Sequence, residues 1–327
     1  MLKAARPKSI VLPVTPPVRI ILDYAASAAP KLLSNLSGAA SIGEYLWTVS
    51  DEGRTVECLR SAASGYVLQQ QVAFDGLFTD IPGSEEGAEL DLESVDIFAD
   101  RLWVCGSHSR VRSKRELGAN GKGSLLTRPS RHFLAAVELN SDGTLLEALG
   151  RVPSTGPGSL RQVLIDDPHL GPLLELPCKE NGLDIEGLCV RPEAIMLGLR
   201  GPIIGGLAVV IAIQLATNFQ IVSYQLLFLD LGGLAIRDLR QRDNVVLVVA
   251  GPMDNAPGPF QLYVWTPKLT AAVQHAELVF DWATSGAKPE GVCGLIRGGQ
   301  HGLLVVFDSP ENARISGTTY AADWISD

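Results

Sequence analysis

The apolar residues of this chain fall in short runs of about 4–8, rich in Val, Ile, Leu and Trp and broken by Gly, Pro, Asp or Asn. That is a strand pattern. VRIILDYA from Val18, YLWTV from Tyr45, VVLVVAG from Val245 and QLYVW from Gln261 are examples. A longer unit organises them. In LDIEGLCVRPEAIMLGLRGP, from Leu183, an acidic-x-Glu-Gly start leads into an apolar run, a turn, and a second apolar run that ends in a small or charged residue. Degenerate relatives begin at Asn35, Asp91, Asp230 and Lys288. A pattern that returns at intervals of roughly 45–95 residues marks stacked or radial supersecondary units.

Two strands per motif and two more from each spacer make a four-stranded antiparallel sheet. Several such sheets set radially make an all-β propeller. A chain of 327 residues supplies five of these blades, or six if 107–181 hides a degenerate one. The blade after Lys288, ending in ISGTTYAADWI, is one strand short. VRIILDYA is expected to complete it, closing the ring and removing exposed sheet edges. Ahead of that strand, Pro13, Pro16 and Pro17 interrupt any apolar secretory core, so 1–17 reads as a disordered tail. The expected organisation is one domain over 18–327, with insertions at about 107–131 and 151–181. The second insertion carries a short helix at Leu160, Val163 and Leu164, stopped near Pro168. The charge-free stretch 201–229 is long enough to raise the question of a membrane helix. Its β-branched residues, Gln214, Asn218, Gln220, Ser223 and Gln225 fit two buried strands hinged near Thr217 and Asn218 better.

Composition narrows the partners. A net charge of −9 and a pI near 5.1 lack the basic footprint of a nucleic-acid or anionic-membrane binder, leaving a small molecule or another protein. Cys58, Cys105, Cys178, Cys189 and Cys293 are odd in number and without C-x-x-C, so neither a disulfide framework nor a zinc site is expected, and a reducing, cytoplasmic setting fits. Arg110, Arg112, Lys114 and Arg115 concentrate positive charge in the first insertion, as either a solvated loop or an anion-binding patch.

The strings DIEGL, GLRGP, LDLGGLAIRDL, AGP and QLYVW occur here in the order and spacing of a bacterial family, the domain of unknown function 3616 family. The chain resembles that family over roughly residues 36–310. The family in turn is distantly similar to phytase-type esterase-like propellers. The resemblance implies a propeller and brings no established activity. The dense Asp and Glu series of the phytase calcium sites has no counterpart here.

In the aligned motifs one column reads Ser37, Glu93, Glu186, Gly232 and Glu290, and the next reads Gly38, Ser94, Gly187, Gly233 and Gly291. If innermost strands begin there, Glu93, Glu186 and Glu290 converge at one mouth of a central channel, with Asp51, Asp308, Arg200, His108 and Arg237 near strand ends. Converging carboxylates repel unless a cation, an Arg or a shared proton compensates them. Calcium or another divalent cation would suit Glu93, Glu186, Glu290, Asp51 and Asp308. Arg200 and Arg237 could then bind an anionic group bidentately. One reading is therefore a metal-assisted or carboxylate-based hydrolase of a small anionic ester or lactone, with Glu186, Glu93, Glu290, Arg200 and Arg237 as the catalytic set. The other is a non-catalytic ligand- or protein-binding propeller, in which each Glu caps a turn and the next Gly supplies positive φ. No His pair has metal-ligand spacing, and no G-x-S-x-G elbow or phosphate loop occurs. Ser50 or Ser107 with His108 makes a poor nucleophile pair, since adjacent strand residues face opposite sides.

Overall fold

A computed structural model describes residues 16–25, 30–84, 87–117, 123–254, 257–282, 288–308 and 312–327. The expected tail at 1–15 lies outside the described residues. The fold is all-β and propeller-like, built of antiparallel meanders that run outward from an inner strand. The first is β2 (Leu36–Ile42), β3 (Tyr45–Ser50), β4 (Thr55–Ala62) and β5 (Gly65–Ala73). The second comprises β6 (Leu92–Phe98), β7 (Arg101–Gly106), β10 (Leu134–Leu139) and β11 (Leu145–Arg151), interrupted by the hairpin β8 (Arg110–Leu117) and β9 (Gly123–Thr127). In the third, β12 (Asp184–Val190), β13 (Ile195–Gly201), β14 (Ala208–Leu215) and β15 (Ile221–Asp230) are edged by β19 (Val273–His275). The fourth is β16 (Ala235–Arg242), β17 (Val245–Gly251), β18 (Gln261–Trp265) and β20 (Glu277–Asp281).

The last meander runs β21 (Pro289–Arg297), β22 (Gln300–Phe307) and β24 (Thr319–Ser326), with the short β23 (Ile315–Ser316) beside β24. Its outer strand is β1 (Val18–Asp23), which pairs antiparallel with β24 from Val18↔Trp324 to Asp23↔Thr319. The N-terminal strand thus closes the last sheet, as its sequence implied. It also pairs in parallel with β5 at Ile21↔Gly65. There a Cβ on Gly65 would meet the Ile21 carbonyl at 2.1 Å, so only glycine lets the first and last meanders join. Buried Tyr24 fastens the seam, its hydroxyl 3.0 Å from Thr48 Oγ1.

The charge-free stretch forms β14 and β15, turning at 216–220 as its polar residues implied. Strands covered on both faces read as continuous apolar runs, and β17, next to the inner strand β16, is buried throughout. No helix among the described residues is long and apolar enough to cross a membrane. The short helix in the second insertion spans Leu160–Leu164, with Ser159 as its N-cap.

The inner strands meet in a cycle: β2 touches β6, β6 touches β12, β12 touches β16, β16 touches β21 and β21 returns to β2. At the centre of this cycle sits Arg240 of β16. Its guanidinium pairs with Asp96 of β6 and donates to the carbonyls of Val292 on β21 at 2.9 Å, Ala39 on β2 at 2.9 Å and Val95 on β6 at 2.6 Å. Asp96 accepts the Val190 N–H of β12 at 2.8 Å. Asp238 accepts from Val292 N at 2.8 Å and from Ser94 Oγ at 3.1 Å. One buried network of three charged groups therefore reaches every inner strand of the cycle.

Removing the cation from such a network leaves two buried carboxylates uncompensated. Arg240→Met is expected to cost on the order of 3–5 kcal/mol, read as a lower urea midpoint at unchanged m-value. A loss under about 1 kcal/mol, the scale of an exposed ion pair, would show that the hub does not hold the ring.

Candidate functional site

Each inner strand carries one residue without a ladder partner, near its start. The register passes from Leu36 to Gly38, Leu92 to Ser94, Ile185 to Gly187, Ile236 to Asp238 and Pro289 to Gly291, each step missing one residue. A bulge of this kind re-aims a side chain, often beside an active site. The bulged residues are Ser37, Glu93, Glu186, Arg237 and Glu290. This corrects the motif alignment in the fourth unit, where Arg237 rather than Gly232 holds the charged position; Gly232 and Gly233, at φ +67° and +86°, form the preceding turn. It also changes the role of the following column. Gly38, Gly187 and Gly291 do not have positive φ. They are small because inner strands approach closely: a Cβ on Gly291 would lie 2.8 Å from Gly38 Cα, and one on Gly187 2.8 Å from Leu239 Cγ.

The bulges turn their side chains toward one mouth of the ring. Glu186 is buried between two guanidinium groups, receiving Arg200 Nη1 at 2.7 Å on Oε1, with Arg237 Nε 3.0 Å from Oε2. Arg200 sits at a second ladder break, between Gly201 and Leu199, opposite Glu186. Its Nε donates to the Met253 carbonyl at 2.8 Å. Arg237 grips Glu290 through two nitrogens, Nε donating to Oε2 at 2.9 Å. Both guanidinium forks thus face carboxylates, and a ligand anion would have to compete with them.

Above this layer opens a cavity of about 1140 Å3. Asp51, Glu93, Asp308, Arg200 and Arg237 line it, and so do Asp91, Asp184 and Arg131. Asp91 is held by Arg131 Nη1 at 2.6 Å and by Ser107. Asp51, Glu93 and Asp184 make no hydrogen bond or ion pair to any described residue. Oδ1 of Asp51 is buried without a partner, and Asp184 is only 6% exposed. Burial and the charge of Asp91 push the Glu93 carboxyl well above its usual range. Burial, then Asp91 and Asp308, raise Asp51 to about 7, and burial with Glu186 raises Asp184 to about 7 against the pull of Arg200. Burial pushes Glu290 upward while Arg237 pulls it back. Among the described residues no three histidine, cysteine or carboxylate side chains are grouped to hold a metal ion.

The two insertions wall the cavity on one side, the hairpin contributing Val111 and Leu126 and the second insertion Pro177 and Cys178. Arg110 and Arg112, half of the basic cluster, clamp the two together: Arg110 pairs with Glu175, and Arg112 Nη2 reaches Glu180 Oε2 at 2.8 Å. The side chains of Lys114 and Arg115 lie outside the described residues. His108 does not reach the cavity. Its ring stacks on His132 at 5.5 Å, and both of its nitrogens are buried without partners. Burial holds His108 well below the usual histidine range, and His132 at about 4.

The residues the sequence reading left out, Asp91 and Asp184, carry a signal in the motif itself. Each stands two places before a bulged Glu, in DLE and DIE, and Asn35 and Lys288 in the equivalent places also line the cavity.

A closed, propeller-like all-β scaffold with a charged, walled cavity at one mouth is the class that the geometry defines. Residues 35–323 match the family model described as protein of unknown function (DUF3616), and the chain belongs to that family. Among solved structures it is similar to an exo-β-1,3-galactanase from Clostridium thermocellum, at 11% identity over 94% of this chain and 61% of that one, with a TM-score of 0.53. It is also similar to the Phanerochaete chrysosporium exo-β-1,3-galactanase, at 10% identity over 97% and 64%, TM-score 0.47. Myxococcus xanthus glutaminyl cyclase follows at 8% identity over 96% and 100%, TM-score 0.44. The chain spans about three fifths of the length of the galactanases. No curated protein matches it. The distant likeness to phytase-type propellers is not carried by these comparisons.

Two outcomes follow for stability. Glu186→Gln should cost roughly 3–5 kcal/mol by urea denaturation, because it leaves two buried guanidinium groups short of a charge. Asp51 and Asp184, raised in the fold, stabilise it when protonated, and that stability is lost as pH rises through about 7. Buried neutral histidines act oppositely, only below about 6.5. The melting temperature should therefore fall between pH 6.5 and pH 8.5. Asp184→Asn should melt higher than wild type at pH 8, by about 2 °C or more for roughly 1 kcal/mol, with the gap narrowing as pH falls and closing only below about 4, where the unfolded carboxyl is protonated as well. A wild-type curve flat across that window would contradict the assignment.

Proposed function

We propose that the protein is a five-bladed propeller, each meander with its inner strand being one blade and β1 the outer strand of the last. We infer that the cavity at the bulged mouth is the active site of a hydrolase acting on a small ester, lactone or glycoside. The observation that supports this is a set of carboxylates, Asp51, Glu93 and Asp184, that make no hydrogen bond or ion pair with a described residue and that face a cavity of substrate size. Carboxyl groups whose environments separate their proton affinities divide acid and base work between them. Glu93, pushed well above its usual range by burial and by Asp91, keeps its proton and gives it to the leaving oxygen. An ionised neighbour, Asp51 or Asp184, takes the proton of the attacking water. Glu186, Glu290, Arg200 and Arg237 then serve as the floor that orients this set, and no step requires a metal.

The test is a screen of the purified protein on carboxyl esters, lactones, phosphate esters and glycosides, with and without calcium or manganese. Glycosides belong in it because the Clostridium thermocellum protein of similar fold is a galactanase. Turnover should rise with pH through about 7, as Asp51 and Asp184 ionise. Glu93→Gln should lower kcat by about 10²–10⁴, the usual weight of a general acid. Turnover that persists in Glu93→Gln overturns the assignment of the acid, and turnover only with added metal returns the reaction to a metal-assisted hydrolase. No turnover on any class leaves a binding propeller.

A further inference from the structure

The charges facing this mouth do not balance. Three carboxylates have their own guanidinium: Asp91 has Arg131, Glu186 has Arg200 and Glu290 has Arg237. Three others that line the cavity, Asp51, Glu93 and Asp184, have none among the described residues. Asp184 is the most telling, since it is more than nine-tenths buried, lines the cavity and makes no hydrogen bond or ion pair with a described residue, Arg200 and Arg237 acting on it only from beyond contact distance. Burying a charged group without a partner is costly unless the missing charge comes from elsewhere. Elsewhere in this ring the fold supplies it, as Arg240 does for Asp96 and Asp238.

We propose that the cavity takes an organic cation, an ammonium- or guanidinium-bearing molecule whose charged group lies between Asp184, Glu93 and Asp51. The walls fit the rest of such a molecule. Val111, Leu126, Pro177 and Phe260 offer apolar surface above the acidic floor, which suits an alkyl or aromatic body and has no use for a bare ion. The three carboxylates are not grouped as an ion's ligand shell, and the volume is far larger than an ion needs. If the hydrolase reading holds, the cation is part of the substrate; the present proposal rests on the same cavity but concerns binding alone.

Cation binding should drive protons off these carboxylates. Isothermal titration near pH 6.5, in two buffers of different ionisation heat, measures that release directly. The probes are n-butylammonium and arginine amide, with n-butanol as the neutral isostere and calcium chloride as the metal arm. The organic cations are expected to bind about tenfold or more tighter than n-butanol, to release protons, and to weaken about tenfold in both Asp184→Asn and Asp51→Asn. Asp51, nearer the rim, keeps the test valid if Asp184→Asn does not fold. Equal binding of n-butanol, undiminished binding in the variants, or a response to calcium alone overturns the proposal. Turnover of neutral esters that is lost in Glu93→Gln, with no cation binding, sinks this inference and leaves the hydrolase. Cation binding without any turnover does the reverse.

Discussion

The structure depends on one buried guanidinium. Arg240 lies on the ring axis, where side chains of all the inner strands must meet, and it satisfies Asp96 together with carbonyls from β2, β6 and β21. Its two carboxylate neighbours finish the set by accepting backbone N–H groups from β12 and β21. Buried ion pairs are poor sources of net stability, because desolvation offsets most of the Coulombic gain. What this one contributes is geometry. A fork with fixed donor directions can be satisfied only when the inner strands stand at the correct distance and rotation, so the network selects one closed ring over nearby misregistered packings.

The hub also makes the channel a floor. It separates the large cavity at one mouth from a smaller pocket of about 350 Å3 at the other, lined by Ser41, Asp96, Gln241 and Asp243 among others. The five inner-strand bulges lie on the side of the large cavity. Each bulge adds one residue to a strand without a ladder partner and swings its side chain toward the axis. Where the bulged residue is Ser37, its hydroxyl reaches the Leu92 carbonyl at 2.5 Å and the position serves architecture alone. Where it is Glu or Arg, the same backbone device brings charge to the mouth. A single architectural irregularity, repeated around the ring, therefore builds the site.

Burial then does the electrostatic work. The floor is buried and crowded, so carboxylates with guanidinium partners are held as structure, while burial raises the proton affinity of Asp51, Glu93 and Asp184. The walling insertions deepen this effect. By closing one side through Arg110–Glu175 and Arg112–Glu180, they reduce the solvent that would otherwise screen Asp184 and Glu93.

Much of this architecture was legible in the chain. Short apolar runs between Gly, Pro and Asp specify strands, a recurring acidic-x-Glu-Gly unit specifies repeated sheets, and a final sheet one strand short calls for Val18–Asp23, because those signals are local or periodic. Glu93, Glu186 and Glu290 were found for the same reason, as a column of the repeat. Their partners were not legible to the same degree. Arg237 occupies the column's fourth place only because β16 is paired with β17 at a register that no residue string announces. Asp91 and Asp184 hold the same place in the repeat, and only the packed ring decides that Asp91 pairs with Arg131 while Asp184 makes no ion pair with a described residue. The choice between paired and unpaired charge belongs to side chains distant in sequence, and tertiary structure alone makes it.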